Sequence, residues 1–378
     1  MKQERIGILG GTFHPIHNGH LLIAERAMQS LALDRVLFMI DRNPPHKERD
    51  TGATTDDRLK LLTLAIADHS GFEVDTMELY REGKSYTFDT LTALKERMPD
   101  AAFYFLMGSD MLRSFTTWYR PDGISQLAAL VCTVRGGQSG GEQDMAKLLH
   151  KQYGANVILL EAVSDLSSTE VRDRVRQALP IVDFVPASVA HEIYYRGLYQ
   201  TEEVHRLYEQ LRPALTEGRM RHTAGVIEAA ILLAQENGVD PKQAQIAALL
   251  HDCAKYLPKE ELFTRSSDEV KLLPVLHAEI GAQLAEEQYG VHDPAILRAI
   301  RLHTTGDAAM TKLDKIIYLA DMIEPGRDYP GVEEIRSQKD LDAAVLLAFQ
   351  RSLTHITERG FSVHPATLRA IKDLGGTL

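Results

Sequence analysis

Cysteine is scarce in this sequence, and long apolar runs are missing. Two cysteines, Cys132 and Cys253, cannot build a disulfide framework or a cysteine-based zinc site. No stretch approaches the ~20 apolar residues of a membrane-spanning helix. Met1 is followed almost at once by a strand-like stretch at Ile6, which leaves no room for a signal peptide. We therefore expect a soluble protein of a reducing cytoplasm.

An excess of basic residues is missing as well. Lys and Arg number 42 against 53 Asp and Glu, which gives a formal net charge of −11. Such a chain is a poor candidate for binding bulk nucleic acid, although a few local donors suffice to bind a nucleotide; we expect no membrane partner either. Hydrophobic residues make up 44% and charged residues 25% of the 378 residues. This balance excludes a disordered chain, and the length predicts about two or three domains.

Two kinds of pattern divide the chain near residue 200. In the first half, short apolar runs alternate with helical patterns, which predicts a parallel sheet covered by helices on both faces. The strand candidates span 6–9, 36–40, 102–107, 129–134 and 157–160. The remainder is helical almost throughout, with helices predicted at 224–236, 241–250, 278–289, 295–302, 313–323 and 341–358. The predicted fold class is therefore α/β plus all-α, with domains at 1–199 and 218–378 and a linker at 200–217.

A string rich in glycine and histidine follows the first predicted strand. Gly10 and Gly11 let the backbone approach a ligand closely, and the helix that begins near Gly19 favours phosphate at its N-terminus. His17 and His20 lie three residues apart, so their imidazoles can converge at the carboxyl end of the strand, where α/β sheets bind ligands. Two surface histidines on a turn are the alternative, which the string as a whole disfavours.

The segment Gly10–His20 resembles the HxGH motif of the nucleotidylyltransferase superfamily. A second segment, Ser167–Arg172, looks like the second phosphate-binding motif of that superfamily, at a helix N-terminus. Ser168 and Thr169 are good N-caps, and Arg172 can make a bidentate contact to phosphate. Alone, the second segment is read equally well as an N-cap before a basic helix, but the two motifs together are specific.

Within that superfamily, residues 1–199 look like the bacterial nicotinate-nucleotide adenylyltransferases. The supporting pieces are Asn43–Lys47, Arg58, Ser85–Leu91, Gly108–Asp110, Trp118 and Arg135. The resemblance implies a Rossmann-like sheet and the condensation of nicotinate mononucleotide with ATP, aided by Mg²⁺, to the deamido dinucleotide and pyrophosphate. The segments at 44–47 and 85–87 count against a pantetheine-phosphate or cytidylyl enzyme. One departure is His14, where the family more often has Asp or Asn.

The same resemblance assigns roles in the first half. His17 and His20 would donate hydrogen bonds to the transferring phosphoryl group, and Arg172 would hold the β and γ phosphates, so that catalysis rests on positioning and charge stabilisation. Trp118, the only tryptophan, would stack on the pyridine ring; a core aromatic is the alternative. The further substrate contacts that we expect are Gly10, Gly11, Thr12, Phe13, Lys47, Tyr86, Thr87, Gly108, Asp110, Arg135, Ser168 and Thr169.

Histidines and aspartates recur on successive predicted helices of the second half. Ionisable groups in apolar helices are costly unless they are paired or bind a metal, and helix bundles hold metals from facing helices. Imidazole with carboxylate suits iron, manganese, zinc or cobalt better than calcium. For His251–Asp252 alone, a chance dipeptide is the better interpretation, but its apolar context changes that. The predicted ligands are His222, His251, Asp252, His277, His303 and Asp321.

The order of these ligands resembles the HD-domain metallophosphohydrolases, and residues 218–378 look like the bacterial symmetrical diadenosine tetraphosphate hydrolases. That resemblance implies two transition-metal ions, iron in this branch, with Asp252 in a bridging, catalytic position. It also implies metal-assisted attack of water on a central phosphate, which gives two ADP. Lys255 and Arg327 are candidate phosphate contacts.

Two alternatives remain open for the second half. The HD domain can act on another nucleotide, such as a monophosphate or a cyclic dinucleotide, or it can be a non-catalytic module that binds nucleotide and regulates the adenylyltransferase. Retention of all six ligand positions disfavours the regulatory module, because pure binding does not need an open metal position. The sequence leaves the metal and the oligomeric state open, a homo-oligomer included.

Overall fold

The computed structural model describes residues 3–41, 52–81, 83–134, 139–161 and 166–377. Lys47 and Arg135, both predicted to bind substrate, lie outside these ranges. The chain divides into two compact units, one of residues 1–172 with 182–189 and one of residues 173–181 with 190–378. Among the described residues, no helix combines the length and the apolar character needed to cross a membrane.

The sheet of the first unit is parallel throughout. Its strands are β1 (Arg5–Gly11), β2 (Arg35–Ile40), β3 (Phe72–Asp75), β4 (Ala102–Gly108), β5 (Ala128–Val134) and β6 (Val157–Glu161). Their order is β3–β2–β1–β4–β5–β6, and Ile8 lies between Leu37 of β2 and Phe105 of β4. The direction of winding reverses between β1 and β4, where doubly wound sheets open a ligand crevice at the carboxyl ends of the strands. The five predicted strands are confirmed, and β3 is an edge strand that the sequence did not reveal.

Helices lie between successive strands, and two more follow β6. They are α1 (Asn18–Leu31), α2 (Thr55–Ile66), α3 (Thr87–Arg97), α4 (Ser109–Ser114), α5 (Pro121–Leu127), α6 (Ser139–Tyr153), α7 (Ser168–Arg176) and α8 (Ala187–Arg196), with short 3-10 turns at Met77–Tyr80 and Phe115–Thr117. Helix α2 begins where it does because Thr54 accepts the N–H of Asp57, whose carboxylate accepts the N–H of Thr54. The strands supply aliphatic and aromatic side chains to the core between the sheet and its helices, which is why their sequences are almost continuously apolar.

The second unit is helical. Its helices are α9 (Glu202–Leu211), α10 (Glu217–Asn237), α11 (Pro241–Leu250), α12 (Lys259–Arg265), α13 (Leu273–Glu287), α14 (Pro294–Leu302), α15 (Lys312–Ile323), α16 (Val332–Arg336), α17 (Leu341–Glu358) and α18 (Pro365–Asp373), with a 3-10 turn at Arg212–Ala214. Gly238, in the left-handed conformation, ends α10, and Asp240 caps α11 ahead of Pro241. The α/β plus all-α fold class is confirmed, and the segment 200–217, predicted as a linker, includes α9.

Helices α10, α11, α13, α14 and α15 pack around one apolar core. Ile227, Leu249, Ile280, Ile300 and Ile316 are completely buried there. Each of these helices also carries a predicted metal ligand within it or directly after it, so the packing that buries these aliphatic side chains also fixes the ends that hold the polar groups.

Candidate active sites

The first site lies where β1 ends and α1 begins. The N–H of His17, the N-cap of α1, donates to Nδ1 of His20 at 3.3 Å. The two imidazole rings lie with their centroids 3.7 Å apart and their planes tilted by 35°. A side chain at Gly19 would place its Cβ 3.0 Å from Cε1 and Nδ1 of His17, so the glycine between the histidines is needed for this close approach.

Burial controls the charge of His17. Its side chain is 5% exposed, and burial lowers its pKa from 6.5 to about 4. His17 is therefore neutral at pH 7 and can donate one ring N–H without bringing a full charge into the site. Phe13, itself buried, packs edge-on against His20 at 5.2 Å between centroids and supports the pair from the protein side.

The second motif lies against the first. The hydroxyl of Ser168, at the start of α7, donates to the carbonyl of Pro15 at 2.9 Å. Nη1 of Arg172 donates to the carbonyl of His14 at 2.7 Å, and its Nη2 lies 3.4 Å from Oγ1 of Thr169. Two segments far apart in the sequence thus form one surface, since 158 residues separate the partners of the Arg172 bond.

Arg58 supports this loop in a way that the sequence did not indicate. Its side chain is 7% exposed, and Nη1 donates both to the carbonyl of Thr12, after β1, and to that of Asp41, after β2, at 2.6 and 2.9 Å. One guanidinium therefore ties together the ends of two neighbouring strands. The resemblance drew attention to Arg58, but no local pattern could reveal partners that far away in the sequence.

The other predicted contacts of the first half fall into two groups. Gly10, Gly11 and Thr12 lie at the end of β1, and Gly108 and Asp110 lie at the end of β4, on the two sides of the switch point. Tyr86 and Thr87 form the start of α3, with Tyr86 against Tyr119 at 4.8 Å between ring centroids.

Trp118 is partly buried. It packs edge-on against Phe105 and tilted against Phe115, so part of the indole belongs to the core. The two sequence interpretations of Trp118, core aromatic and exposed stacking surface, are therefore compatible.

The second site collects the six predicted ligands in the helical unit. Donor atoms of His222, His251 and Asp321 lie within 4.8 Å of one another, as do those of His251, Asp252 and His303. His277 joins the cluster, with its Nε2 3.1 Å from Oδ1 of Asp252 and 3.3 Å from Nε2 of His303. The structure thus brings all six together from α10, α13, α15 and the segments that follow α11 and α14.

The electrostatics of this cluster are those of a buried anion among imidazoles. Asp252 is 2% exposed. Burial alone would raise its pKa, but the imidazoles of His251, His277 and His303 hold the pKa of this carboxyl well below its usual range. The pKa of Asp321 is likewise lowered, because His222 and its neighbours outweigh the effect of burial. Burial lowers the pKa of His277 to about 4.

The donor set fits a divalent metal. Nδ1 of His251 lies 2.7 Å from the carbonyl of Ala248, and Nδ1 of His303 lies 2.7 Å from that of Ile300, which makes Nδ1 the donor and leaves Nε2 as a lone-pair ligand. Nε2 of His222, Nε2 of His251 and Oδ1 of Asp252 are buried and make no well-aligned hydrogen bond to any residue in the described ranges. A bound cation would satisfy all three atoms.

Three cationic side chains surround the cluster, in roles that the sequence only partly predicted. Arg219, which we did not predict, donates from Nη1 to Oδ2 of Asp252 at 2.8 Å. Nζ of Lys255, a predicted phosphate contact, lies 3.4 Å from Oδ1 of the same aspartate. Arg327, predicted for the same task, instead donates to the carboxylate of Asp321 at 2.7 Å and to its carbonyl at 2.8 Å. Its contacts are those of a residue that orients a ligand.

The fold and the two sites define a nucleotidyltransferase-like domain joined to an HD domain. A cytidylyltransferase-like family model matches residues 8–174, and an HD-domain model matches residues 219–326. The first domain places its histidine motif at the switch point of the sheet, and the second implies divalent-metal binding, in agreement with the ligand cluster.

Relatives specify the family further. The chain is 32% identical to the Mycoplasma pneumoniae protein named "Probable nicotinate-nucleotide adenylyltransferase/Ap4A hydrolase", over 90% of this chain and 94% of that one. It is 42% identical to a Halalkalibacterium halodurans protein named "Probable nicotinate-nucleotide adenylyltransferase", over 53% of this chain and 93% of that one. It also matches a solved HD superfamily hydrolase of Clostridium acetobutylicum, described as involved in NAD metabolism, with 34% identity, a TM-score of 0.43, and coverage of 45% of this chain and 96% of that one. This chain belongs to the family of two-domain nicotinate-nucleotide adenylyltransferase/Ap4A hydrolases, which confirms the resemblance seen in the sequence.

Proposed function

We infer that this chain is a bifunctional enzyme that adenylylates nicotinate mononucleotide and hydrolyses diadenosine tetraphosphate. The observation that carries this inference is that both sets of predicted residues assemble, each within its own unit: the HxGH string against the start of α7, and six metal-type ligands in one cluster, four of them buried. A relative whose name combines the two activities matches 90% of the chain.

In the first unit, a phosphate oxygen of nicotinate mononucleotide attacks the α-phosphorus of ATP. The bond from that phosphorus to the oxygen bridging the α and β phosphates breaks, and pyrophosphate leaves, so no protein nucleophile is needed. His17 and His20 donate hydrogen bonds to the transferring group, where negative charge increases, and their close ring contact keeps these donors in place. Arg172 and the N–H groups at the start of α7 hold the β and γ phosphates. Mg²⁺, when bound, shares the charge of the triphosphate.

Recognition of the pyridine is assigned to two segments. The N–H groups of the first turn of α3, at Tyr86 and Thr87, suit the nicotinate carboxylate, since a helix N-terminus favours an anion. Trp118 offers the part of its indole that the core leaves uncovered as a stacking surface. Lys47 and Arg135 remain predicted contacts to the nucleotide.

In the second unit, we propose that His222, His251, Asp252 and Asp321 would hold one metal ion, and that His277 and His303, together with Asp252, would hold a second. Such a pair of ions, for which iron or manganese is our choice, would lower the pKa of a bound water and stabilise charge on the phosphate oxygens. The protein itself buries His251, Asp252, His277 and His303, and backbone carbonyls fix the rings of His251 and His303 through Nδ1. Hydrolysis adds water across one P–O bond in the centre of the tetraphosphate and gives two ADP. Arg219 and Lys255, beside Asp252, are placed to meet the substrate phosphates.

Two further points belong to this proposal. We place the enzyme in the cytoplasm, since its two cysteines are both buried free thiols and the chain uses no disulfides among its described residues. We also keep the domain limits 1–199 and 218–378 as working boundaries for experiments.

A product assay of the full-length protein tests both halves of the proposal. Nicotinate mononucleotide with ATP and Mg²⁺ should give the deamido dinucleotide and pyrophosphate, with little turnover of nicotinamide mononucleotide. Diadenosine tetraphosphate should give two ADP, whereas ATP plus AMP would indicate asymmetric cleavage. No hydrolysis of this substrate, alongside turnover of a monophosphate or cyclic dinucleotide, would identify a different substrate for the HD domain.

The variant Asp252→Ala separates the two activities. It should abolish hydrolysis and retention of transition metal, because Asp252 lies within reach of three imidazoles, and it should leave adenylyl transfer unchanged. His20→Ala is the reciprocal control, which should spare hydrolysis. Full hydrolase activity in Asp252→Ala, together with protein free of transition metal, would favour the non-catalytic regulatory module instead.

A further inference from the structure

Glu324 is a buried carboxylate to which the proposed reaction gives no role. It follows α15 directly and is 4% exposed. Its Oε1 lies 3.1 Å from Nδ1 of His222, and its Oε2 accepts the N–H of Gly326 at 2.5 Å. A carboxylate is costly to bury unless its oxygens are paired, and here both oxygens are.

Among the ligand imidazoles, His222 is oriented differently from its neighbours. His251 and His303 each place Nδ1 beside a backbone carbonyl three residues earlier in the chain, an acceptor that the helix itself supplies. His222 lies inside α10, and its Nδ1 faces the carboxylate of Glu324, 102 residues away in sequence. The other ring nitrogen, Nε2, lies 3.0 Å from Oδ1 of the ligand Asp321. The Nδ1 side of His222 is therefore held by one distant side chain and not by a carbonyl of its own helix.

Two glycines make room for this carboxylate. Gly225 lies on α10 three residues after His222, and a Cβ there would overlap Oε2 of Glu324 and come within 3.2 Å of its Cδ. A Cβ at Gly326 would lie 3.0 Å from Oε2 and 3.2 Å from Oε1. A helix-interior glycine costs about 1 kcal/mol of helix stability relative to alanine. The space that the Glu324 carboxylate occupies is the steric reason for a glycine at 225.

The turn that carries Glu324 is also fixed. Arg336 donates from Nε to the carbonyl of Ile323 at 2.9 Å and from Nη2 to the carbonyl of Glu324 at 2.7 Å. The backbone of the turn is thereby held independently of the carboxylate, so a change at the side chain need not release the turn.

We propose that Glu324 is a positioning residue that orients His222 for metal binding, and that Gly225 provides the space this carboxylate occupies. The inference rests on the metal-dependent function proposed for the second unit. A carboxylate that accepts Nδ1–H holds the ring with Nε2 towards the ion and makes Nε2 a stronger donor. Its loss weakens the grip on the metal without removing any ligand.

The test is a direct titration of full-length apoprotein with Mn²⁺, in which free ion is counted by electron paramagnetic resonance. Glu324→Gln and Gly225→Ala should each weaken Mn²⁺ binding by roughly 10- to 100-fold. Gly218→Ala is the matched control, because Gly218 lies on the same helix and a Cβ there meets nothing within 4 Å. It should bind Mn²⁺ like the parent protein. Adenylyl transfer, measured on the same samples, reports that the proteins are intact.

Each outcome has one meaning. Parent-like Mn²⁺ affinity in both Glu324→Gln and Gly225→Ala would overturn the role of Glu324 while leaving the metal-dependent hydrolase in place. Failure of the parent protein to bind Mn²⁺, Fe²⁺ or Zn²⁺ at all would overturn the proposed function and this inference with it. Should Gly225→Ala be insoluble, the nearly isosteric Glu324→Gln alone decides.

Discussion

His17 and His20 belong to one motif but occupy different environments. His17 is the buried N-cap of α1, while His20, one turn into the helix, accepts its backbone N–H and is only partly covered. The two rings lie with centroids 3.7 Å apart and are tilted by 35°, so each limits the movement of the other. Donors held in this way have little reorganisation to make when charge develops on a phosphoryl group.

Replacement of His20 by alanine should lower kcat of adenylyl transfer by roughly 10²–10³-fold, the loss of one preorganised donor. The KM for ATP should change less, because the triphosphate is held mainly at the start of α7. Steady-state kinetics of the variant measure both. His69→Ala, which changes a histidine before β3 that pairs with Glu25, is the control and should leave kcat unaffected. An unchanged kcat in His20→Ala would remove this residue from the mechanism.

The protonation of His17 predicts a pH dependence. Its pKa is about 4 in the folded protein and 6.5 when exposed, so the unfolded chain binds the extra proton between those values. The free energy of unfolding therefore falls as the pH drops below 6.5, by roughly 3 kcal/mol from this group once pH 4 is passed, and it is constant above pH 7. The ring resonance of His17, assigned by its loss in His17→Asn, should titrate near pH 4. A midpoint near 6.5 would contradict the burial argument.

At the scale of elements, the start of α1 depends on a residue without a side chain. Gly19 occupies the second position of the helix, where alanine would be the better helix former. The His17 ring takes up the space that a Cβ would need. Gly19 therefore lowers the helix propensity of this turn but leaves room for the His17 ring.

Gly19→Ala should therefore lower kcat of adenylyl transfer by at least about tenfold, although it favours the helix by roughly 1 kcal/mol. Gly141→Ala offers a matched control, since Gly141 lies in the first turn of α6 and a Cβ there meets nothing within 4 Å. The measurement is kcat together with Tm for both variants. Parent-like kcat in Gly19→Ala would show that His17 tolerates displacement.

Elements with a strong local pattern could be predicted, and those set by partners could not. Helices α11 and α17 begin and end as predicted, because Asp240 with Pro241 and Asp340 mark their starts. Helix α10 starts seven residues earlier than the predicted Ala224, since its first two turns are polar and lack an apolar stripe. The four residues of β3 are too short a run to stand out.

The site residues show the same division between those with a recognisable sequence pattern and those set by distant partners. The six metal-type ligands occur in one recognisable order along the chain, and this order is enough to predict them. Arg219 and Glu324 contact ligands of this cluster, and Arg58 holds the loop after β1 in the first unit. All three act through partners dozens of residues away in the sequence. Nothing in their local sequence distinguishes them from ordinary charged residues.

At the scale of the whole molecule, the chain consists of two units that each contain a complete set of site residues. The Halalkalibacterium halodurans protein matches the first half of this chain over 93% of its own length.

Fragments 1–200 and 201–378 should each fold and keep one activity. Fragment 201–378 should be less stable than fragment 1–200, because it lacks residues that its own helices contact. Tyr208 packs against the chain at Gly197, and Arg212 donates to the carbonyl of Tyr195. A longer fragment, 187–378, keeps α8 and should recover the lost Tm, which calorimetry can measure. Fragments that are insoluble or inactive in both versions would mean that the halves depend on a shared core.

The presence of both units in one polypeptide also has a consequence for the cell. One gene product supplies the two catalysts in a fixed ratio of one to one, so a change in transcription or proteolysis alters both by the same factor. The two activities can then be controlled separately only through the supply of substrate or metal to each site. If the metal bound by the HD domain became scarce, hydrolase activity would fall while dinucleotide synthesis continued. Metal supply would then change one activity without the other, which gene dosage cannot do.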